Sequence, residues 1–241
     1  MSIENWDSLR QKFVNHKFFE KETIINSQEF ASIWHYRQTL MMTQLLQAFT
    51  LCAWEQSKAL KARLKGDLKE GVEWCAQELF ETFASIIREE TWWESIVWES
   101  PSKMAHTELL EHMYQTMWIN TKEIQKTYNP LNYEATNKWI DYIYQNQYHL
   151  IHHIAWMEVF ENIAKPLFDK MYDIFSEYEW DRRFLTFHQA IEWSHGEKND
   201  DMTDLYLKIY PESKEELSIL IDIYSQLWSA VLDEFASMKW K

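Results

Sequence analysis

Between Phe187 and His195 the chain spaces two imidazoles and a carboxylate as His188-x3-Glu192-x2-His195. Successive residues of an α-helix turn by about 100°, which puts Glu192 roughly 40° to one side of His188 and His195 roughly 20° to the other. Three side chains able to ligate a metal thus leave one narrow arc. Such an arc makes a poor core stripe and a good half of a metal site, because imidazole nitrogen and carboxylate oxygen suit transition metals. The plainer alternative for these three residues is a solvated helix face.

The elements that must carry this arc are helices. Only three glycines and four prolines occur in 241 residues, whereas sheet proteins need turn residues about every 8–12 positions. The length suits one substantial core and does not demand two domains. Aromatic residues make up 16% of the chain, 14 of them Trp. Large helix–helix interfaces account for most of that share, and a pocket lined by indoles and phenols could take the rest.

Along the chain, a short amphipathic helix is expected over Ile3–Phe13, and Asn26 or Ser27 caps a helix running toward Leu64. Lys65-Gly66-Asp67 is a break, followed by a helix from about Leu68 to Trp98 that Ser100-Pro101-Ser102 stops. A fourth helix then carries His106, Leu109, Leu110 and Met113 to about Ile124. After Tyr128-Asn129-Pro130, a long helix is expected from Asn132 to Ala164, with Pro166 either kinking it or starting a piece that reaches Tyr178. The metal-spaced helix covers Asp181–His195 and ends at Gly196, a residue typical just past a helix C-terminus. Glu197–Asp204 reads as a polar, mobile connection, and a last helix runs from near Pro211 to Ala236.

The segment Trp98-Glu99-Ser100-Pro101-Ser102-Lys103-Met104-Ala105-His106-Thr107-Glu108-Leu109-Leu110 resembles the Glu-x6-His-x2-Leu element of the haem-oxygenase-like di-iron oxidases. In that family a glutamate precedes the His-x3-(Asp/Glu)-x2-His helix by roughly thirty residues. Here Glu158, within Ala155-Trp156-Met157-Glu158-Val159-Phe160-Glu161, stands at that distance and is followed by Lys165-Pro166-Leu167-Phe168. His16-Lys17-Phe18-Phe19 and Trp34-His35-Tyr36 also look like the opening of that fold. Glu192 stands where many relatives carry Asp; it is one methylene longer and keeps the charge.

The resemblance implies an all-α, single haem-oxygenase-like bundle of about seven or eight helices spanning residues 1–241. It also implies a metal set of Glu99, His106, Glu158, His188, Glu192 and His195. Two Fe(II) ions that react with O2 as co-substrate need oxygen and nitrogen ligands plus open coordination positions, and three carboxylates with three imidazoles fit that need. For Glu99 the alternative is a surface glutamate, and the nearest rival, Glu94, falls five residues too early. For Glu158 the rival is Glu161, one turn along. His149, His152 and His153 match no carboxylate pattern of the family and are expected to fill ordinary polar roles, and His112 is expected to be no ligand.

The implied activity is a non-haem di-iron oxidase or oxygenase acting on a small amine or amino acid, by N-oxygenation, C–C cleavage, desaturation or nitrile formation, in natural-product biosynthesis. The indole-rich composition favours an aromatic amino acid. Arg182 and Arg183, one to two turns before His188, are the candidate anchors for a substrate carboxylate. An external electron donor and a homodimer are admitted as partners. The alternatives are a metal-free relative (a thiaminase-type hydrolase with a cysteine nucleophile, or a cofactorless oxidase), a fatty-acid decarboxylase of the di-iron group, or a helical interaction protein with a vestigial site. Cys52 and Cys75 read as buried small hydrophobes.

A net charge of −14 disfavours nucleic acid and anionic membrane surfaces, which need clustered Lys and Arg. No run of about 18 apolar residues occurs, and Met-Ser-Ile-Glu-Asn-Trp-Asp lacks the basic-then-apolar order of a signal peptide. Two cysteines make a disulfide framework implausible, so a cytoplasmic location is expected.

Overall fold

A computed structural model describes residues 11–67, 71–91, 106–186, 188 and 202–238; the side chains of 88–91, 106 and 107 lie outside that description. The described residues form helices and no strand. They are α1 (Ser27–Lys65), α2 (Val72–Thr91), α3 (His106–Thr116), α4 (Thr121–Thr127), α5 (Glu134–Gln145), α6 (Leu150–Ile174), α7 (residues 202–209) and α8 (Lys214–Ala236). Residues 11–14, 183–186 and 188 are also helical, the rest of the helix expected over Ile3–Phe13 lying outside the described residues. None of the described helices is long and apolar enough to cross a membrane.

Local chemistry sets several ends. Asn26 accepts hydrogen bonds from the Gln28 and Glu29 amides at 3.1 Å, satisfying two donors that the first turn of α1 leaves unpaired. Gly66 closes α1 at φ 75°, a left-handed conformation that costs glycine no Cβ clash. Pro211 opens a 3-10 turn, Pro211–Ser213, from which α8 continues.

Two boundaries differ from those expected. The helix drawn from His106 to Ile124 is two helices, because Trp118 takes φ 58° and Asn120 caps α4 through the Lys122 and Glu123 amides. The helix drawn from Asn132 to Ala164 breaks between Gln145 and Leu150, although no glycine or proline stands there. Side chains close that break: Asn146 Nδ2 donates to the Tyr142 carbonyl at 2.8 Å, and His153 Nε2 donates to the Gln147 carbonyl at 2.9 Å. Pro166, in contrast, does not end α6. It forfeits the amide bond to the Asn162 carbonyl, but Ile163, Ala164, Leu167 and Phe168 around it are at most 2% exposed. Burying a residue of the Ile, Leu or Phe class contributes about 1.5–3 kcal/mol, so together they outweigh a proline penalty of about 3 kcal/mol.

The long α1 packs along α2 and also against α3, α4, α5 and α6, while α8 packs on α5 and α6. The buried apolar side chains form one cluster. Its centre is aromatic: Trp34, Trp139, Trp156 and Trp228 are each less than 2% exposed, and they come from α1, α5, α6 and α8. The high Trp content is thus used first to fill interhelical space.

Candidate metal centre and its cavity

Helix α6 carries Glu158, which is 2% exposed. An unpaired carboxylate at that depth would be costly, so its polar partners matter. Thr203 Oγ1 donates to Glu158 Oε2 at 2.6 Å. Asn162 Nδ2 donates to the Glu158 carbonyl at 2.7 Å and leans on Oε1 at 3.3 Å. A carboxylate oxygen accepts along two directions, so neither donor precludes a metal bond. Thr203 lies in α7, where Met202 and Leu205 are buried as well. Residues 202–204 are therefore not part of a mobile connection. The apolar 3–4 spacing of Met202, Leu205 and Tyr206 was the signal for this helix, partly hidden by the polar residues before it.

His188 is 3% exposed and its ring lies between Phe168 and Phe184, with centroids 4.3 and 4.4 Å away. Nδ1 is 2.8 Å from the Phe184 carbonyl. A carbonyl only accepts, so Nδ1 carries the proton and Nε2 of the neutral ring carries the lone pair. Metal-binding histidines are oriented in the same way.

His188 faces a small cavity of about 30 Å3 whose walls include Gln38, Met41, Leu45, Trp156 and Glu161. The rival carboxylate Glu161 thus shares a cavity with His188, whereas Glu158 is held between Asn162 and Thr203. Glu99, Glu192 and His195 lie outside the described residues, as does the His106 side chain, although His106 does open α3. Among the described residues no group of three or more His, Cys, Asp or Glu side chains is placed to hold a metal. Within that limit, a buried hydrogen-bonded carboxylate and a backbone-oriented imidazole fit a metal of the expected kind.

The two candidate carboxylate anchors are engaged elsewhere. Arg182 Nη1 donates to the Tyr172 hydroxyl at 2.6 Å and its guanidinium lies over the Tyr172 and Trp180 rings. Arg183 pairs with Asp181 through Nε at 2.7 Å and through Nη2, and this guanidinium holds the Asp181 carboxyl below its ordinary range. His112 Nδ1 approaches the same Asp181 oxygen, Oδ2, at 3.0 Å.

The second histidine cluster has polar structural roles. His153 accepts from Trp156 Nε1 at 3.3 Å, and His152 Nδ1 meets the Tyr224 hydroxyl at 3.2 Å. Burial pushes both imidazoles down to about 4. Cys52 and Cys75 are free and buried, and burial, with Glu55 adding to it, raises the Cys52 thiol far above its ordinary value. A thiol so placed is a poor nucleophile.

Arg37, which is not among the candidate residues above, is buried completely by the fold. Its signal was a cation at helical spacing within the apolar stripe Ile33, Trp34, Met41 and Leu45. No protein-family model matches this sequence, and no curated protein matches it.

Proposed function

We propose that the chain is a haem-oxygenase-like non-haem di-iron oxidase that uses O2 to oxidise a small amine or amino acid. The observations that support this most are a deeply buried, hydrogen-bonded Glu158 on α6 and, separately, a His188 whose Nδ1 proton is committed to a backbone carbonyl. Both belong to the six positions that carry the family resemblance. Glu99, His106, Glu158, His188, Glu192 and His195 would hold two irons, which when bound supply the electrons and open positions for O2 chemistry.

The described residues have definable tasks in this reading. The Phe184 carbonyl fixes the His188 tautomer. Thr203 and Asn162 hold the Glu158 carboxylate against rotation. Phe168 and Phe184 cover the imidazole and keep bulk water from it. Met41, Leu45 and Trp156 offer an apolar wall to the substrate, while Gln38 and Glu161 offer polar contacts along it. Free, buried cysteines agree with a reducing cytoplasm as the working compartment.

The deciding experiment is anaerobic loading with Fe(II), removal of loose metal, and metal analysis, followed by exposure to O2. Close to two irons per chain and a visible absorption that forms with O2 are expected. Absence of specifically bound iron after careful loading overturns the proposal.

A further inference from the structure

Arg37 on α1 is 0% exposed, and its Nε, Nη1 and Nη2 have no hydrogen-bond partner among the described residues. Its Cζ lies 4.0 Å from the Trp228 ring centroid, 4.6 Å from those of Trp34 and Trp139, and 5.4 Å from that of Phe160. The Nε1 atoms of Trp34, Trp139 and Trp228 are also buried without an acceptor. Guanidinium and indole nitrogens only donate, so these groups cannot satisfy one another. The ring faces offset part of the charge through cation–π attraction, but they leave the N–H donors unmet. A buried cluster composed only of donors around a cation is the electrostatic complement of a small anion.

The cage also borders two small, mostly apolar spaces. Phe160 is in the wall of the His188 cavity, and Trp139 is in the wall of a neighbouring apolar cleft with Gln44. Met41 and Trp156 wall both spaces. Because these walls are mostly apolar and Arg37 is the one cation there among the described residues, a singly charged planar anion with an apolar body fits better than a phosphate. A carboxylate matches the guanidinium fork in two parallel hydrogen bonds.

We propose that Arg37, with the indole N–H groups of Trp34, Trp139 and Trp228, holds the carboxylate of an apolar or aromatic carboxylic acid whose body lies toward the His188 cavity. This names the substrate class of the proposed oxidase and rests on reading that cavity as its substrate space. It also gives the anchoring role to Arg37 instead of Arg182 or Arg183, whose guanidinium groups are engaged by Tyr172 and Asp181.

The test uses the full chain without iron, so that its result is separate from metal loading. Phenylacetate and octanoate are titrated against tryptophan emission and thermal unfolding, with phenylacetamide as the uncharged control. Saturable emission changes and a raised Tm are expected with at least one acid and not with the amide. Arg37→Met, similar in length and without charge, is expected to raise the Tm of the free protein, because an unpaired buried charge is replaced by packing. The same variant is expected to weaken binding of the acid at least tenfold. Should Arg37→Met not fold, Arg37→Lys, which keeps the charge and loses the fork, is expected to show the same weakening. Equal affinity in the folded variant, or a wild-type protein that binds neither acid or does not distinguish acid from amide, overturns the proposal. Iron loading that fails while acid binding persists would remove the oxidase reading and leave the anion site standing.

Discussion

Thr203 Oγ1 reaches Glu158 Oε2 at 2.6 Å, joining α7 to α6 across 45 residues of chain. The contact is buried at both ends, since Thr203 is 7% and Glu158 2% exposed. It ties the orientation of the proposed ligand to a helix that follows the His188 segment. Hydrogen bonds that orient a ligating carboxylate commonly govern metal affinity as strongly as some ligands do.

Thr203→Val keeps the shape and removes the donor. Iron affinity, measured by competition with a chelator, is expected to fall about 10–100-fold, while Thr203→Ser retains it. An unchanged affinity in the valine variant would show that this hydrogen bond does not orient a ligand.

Glu158 and Glu161 make opposite predictions. Glu158→Gln and His188→Ala are expected to lose bound iron and turnover, because each deletes a ligand bond. Glu161→Gln is expected to keep the iron stoichiometry and to change only the KM for substrate. Metal analysis with the reverse pattern would transfer the third carboxylate to Glu161. His112→Ala, whose imidazole meets Asp181 and not the cavity, is expected to keep both iron and turnover.

Acid should weaken the fold through His153. Its imidazole is 1% exposed and is pushed down to about 4 by burial, from an ordinary value of 6.5. Above pH 6.5 both folded and unfolded chains carry it neutral, and the full stability is present. As the pH falls from there toward 4, the unfolded chain takes up a proton that the folded chain refuses, so stability falls. The expected slope is about 1.4 kcal/mol per pH unit. His152 acts in the same direction with more solvent screening. Denaturant titrations at about pH 7 and about pH 5 should differ by about 2 kcal/mol in the wild type and by clearly less in His153→Gln. Parallel curves in both proteins would reject this account.

Glu234 secures the start of α5. Its Oε1 accepts from the Ala135 amide at 3.0 Å, and its Oε2 accepts from the Thr136 amide at 2.9 Å and the Thr136 hydroxyl at 2.7 Å. Glu234→Ala leaves these first-turn donors unmet and is expected to cost about 2 kcal/mol of unfolding free energy, read from chemical denaturation. Because α5 carries Trp139, the same variant is expected to alter the tryptophan emission of the folded protein.

Helix content and several helix ends were legible from residues alone. Asn26 and Gly66 act on amides and dihedrals within a few positions of themselves, and the expected limits of α1 follow from them. The break after Gln145 was not legible, because His153 helps to create it by meeting the Gln147 carbonyl, which only the turned chain presents. Trp118 misled for a related reason: nothing about tryptophan favours positive φ, and the exit from α3 is imposed by the surrounding packing together with the Asn120 cap.

The sequence by itself determined that the described residues are helical and where α1 starts and stops, since rotation per residue and capping are properties of neighbouring residues. Tertiary structure alone decided that Thr203 meets Glu158, that Glu161 shares a cavity with His188, and that Arg37 is enclosed by rings from α1, α5, α6 and α8. Those relations join positions far apart in the chain, and they exist because burying large aromatic surfaces draws the helices together while the few polar groups carried inside must accept whatever surroundings the packing leaves them.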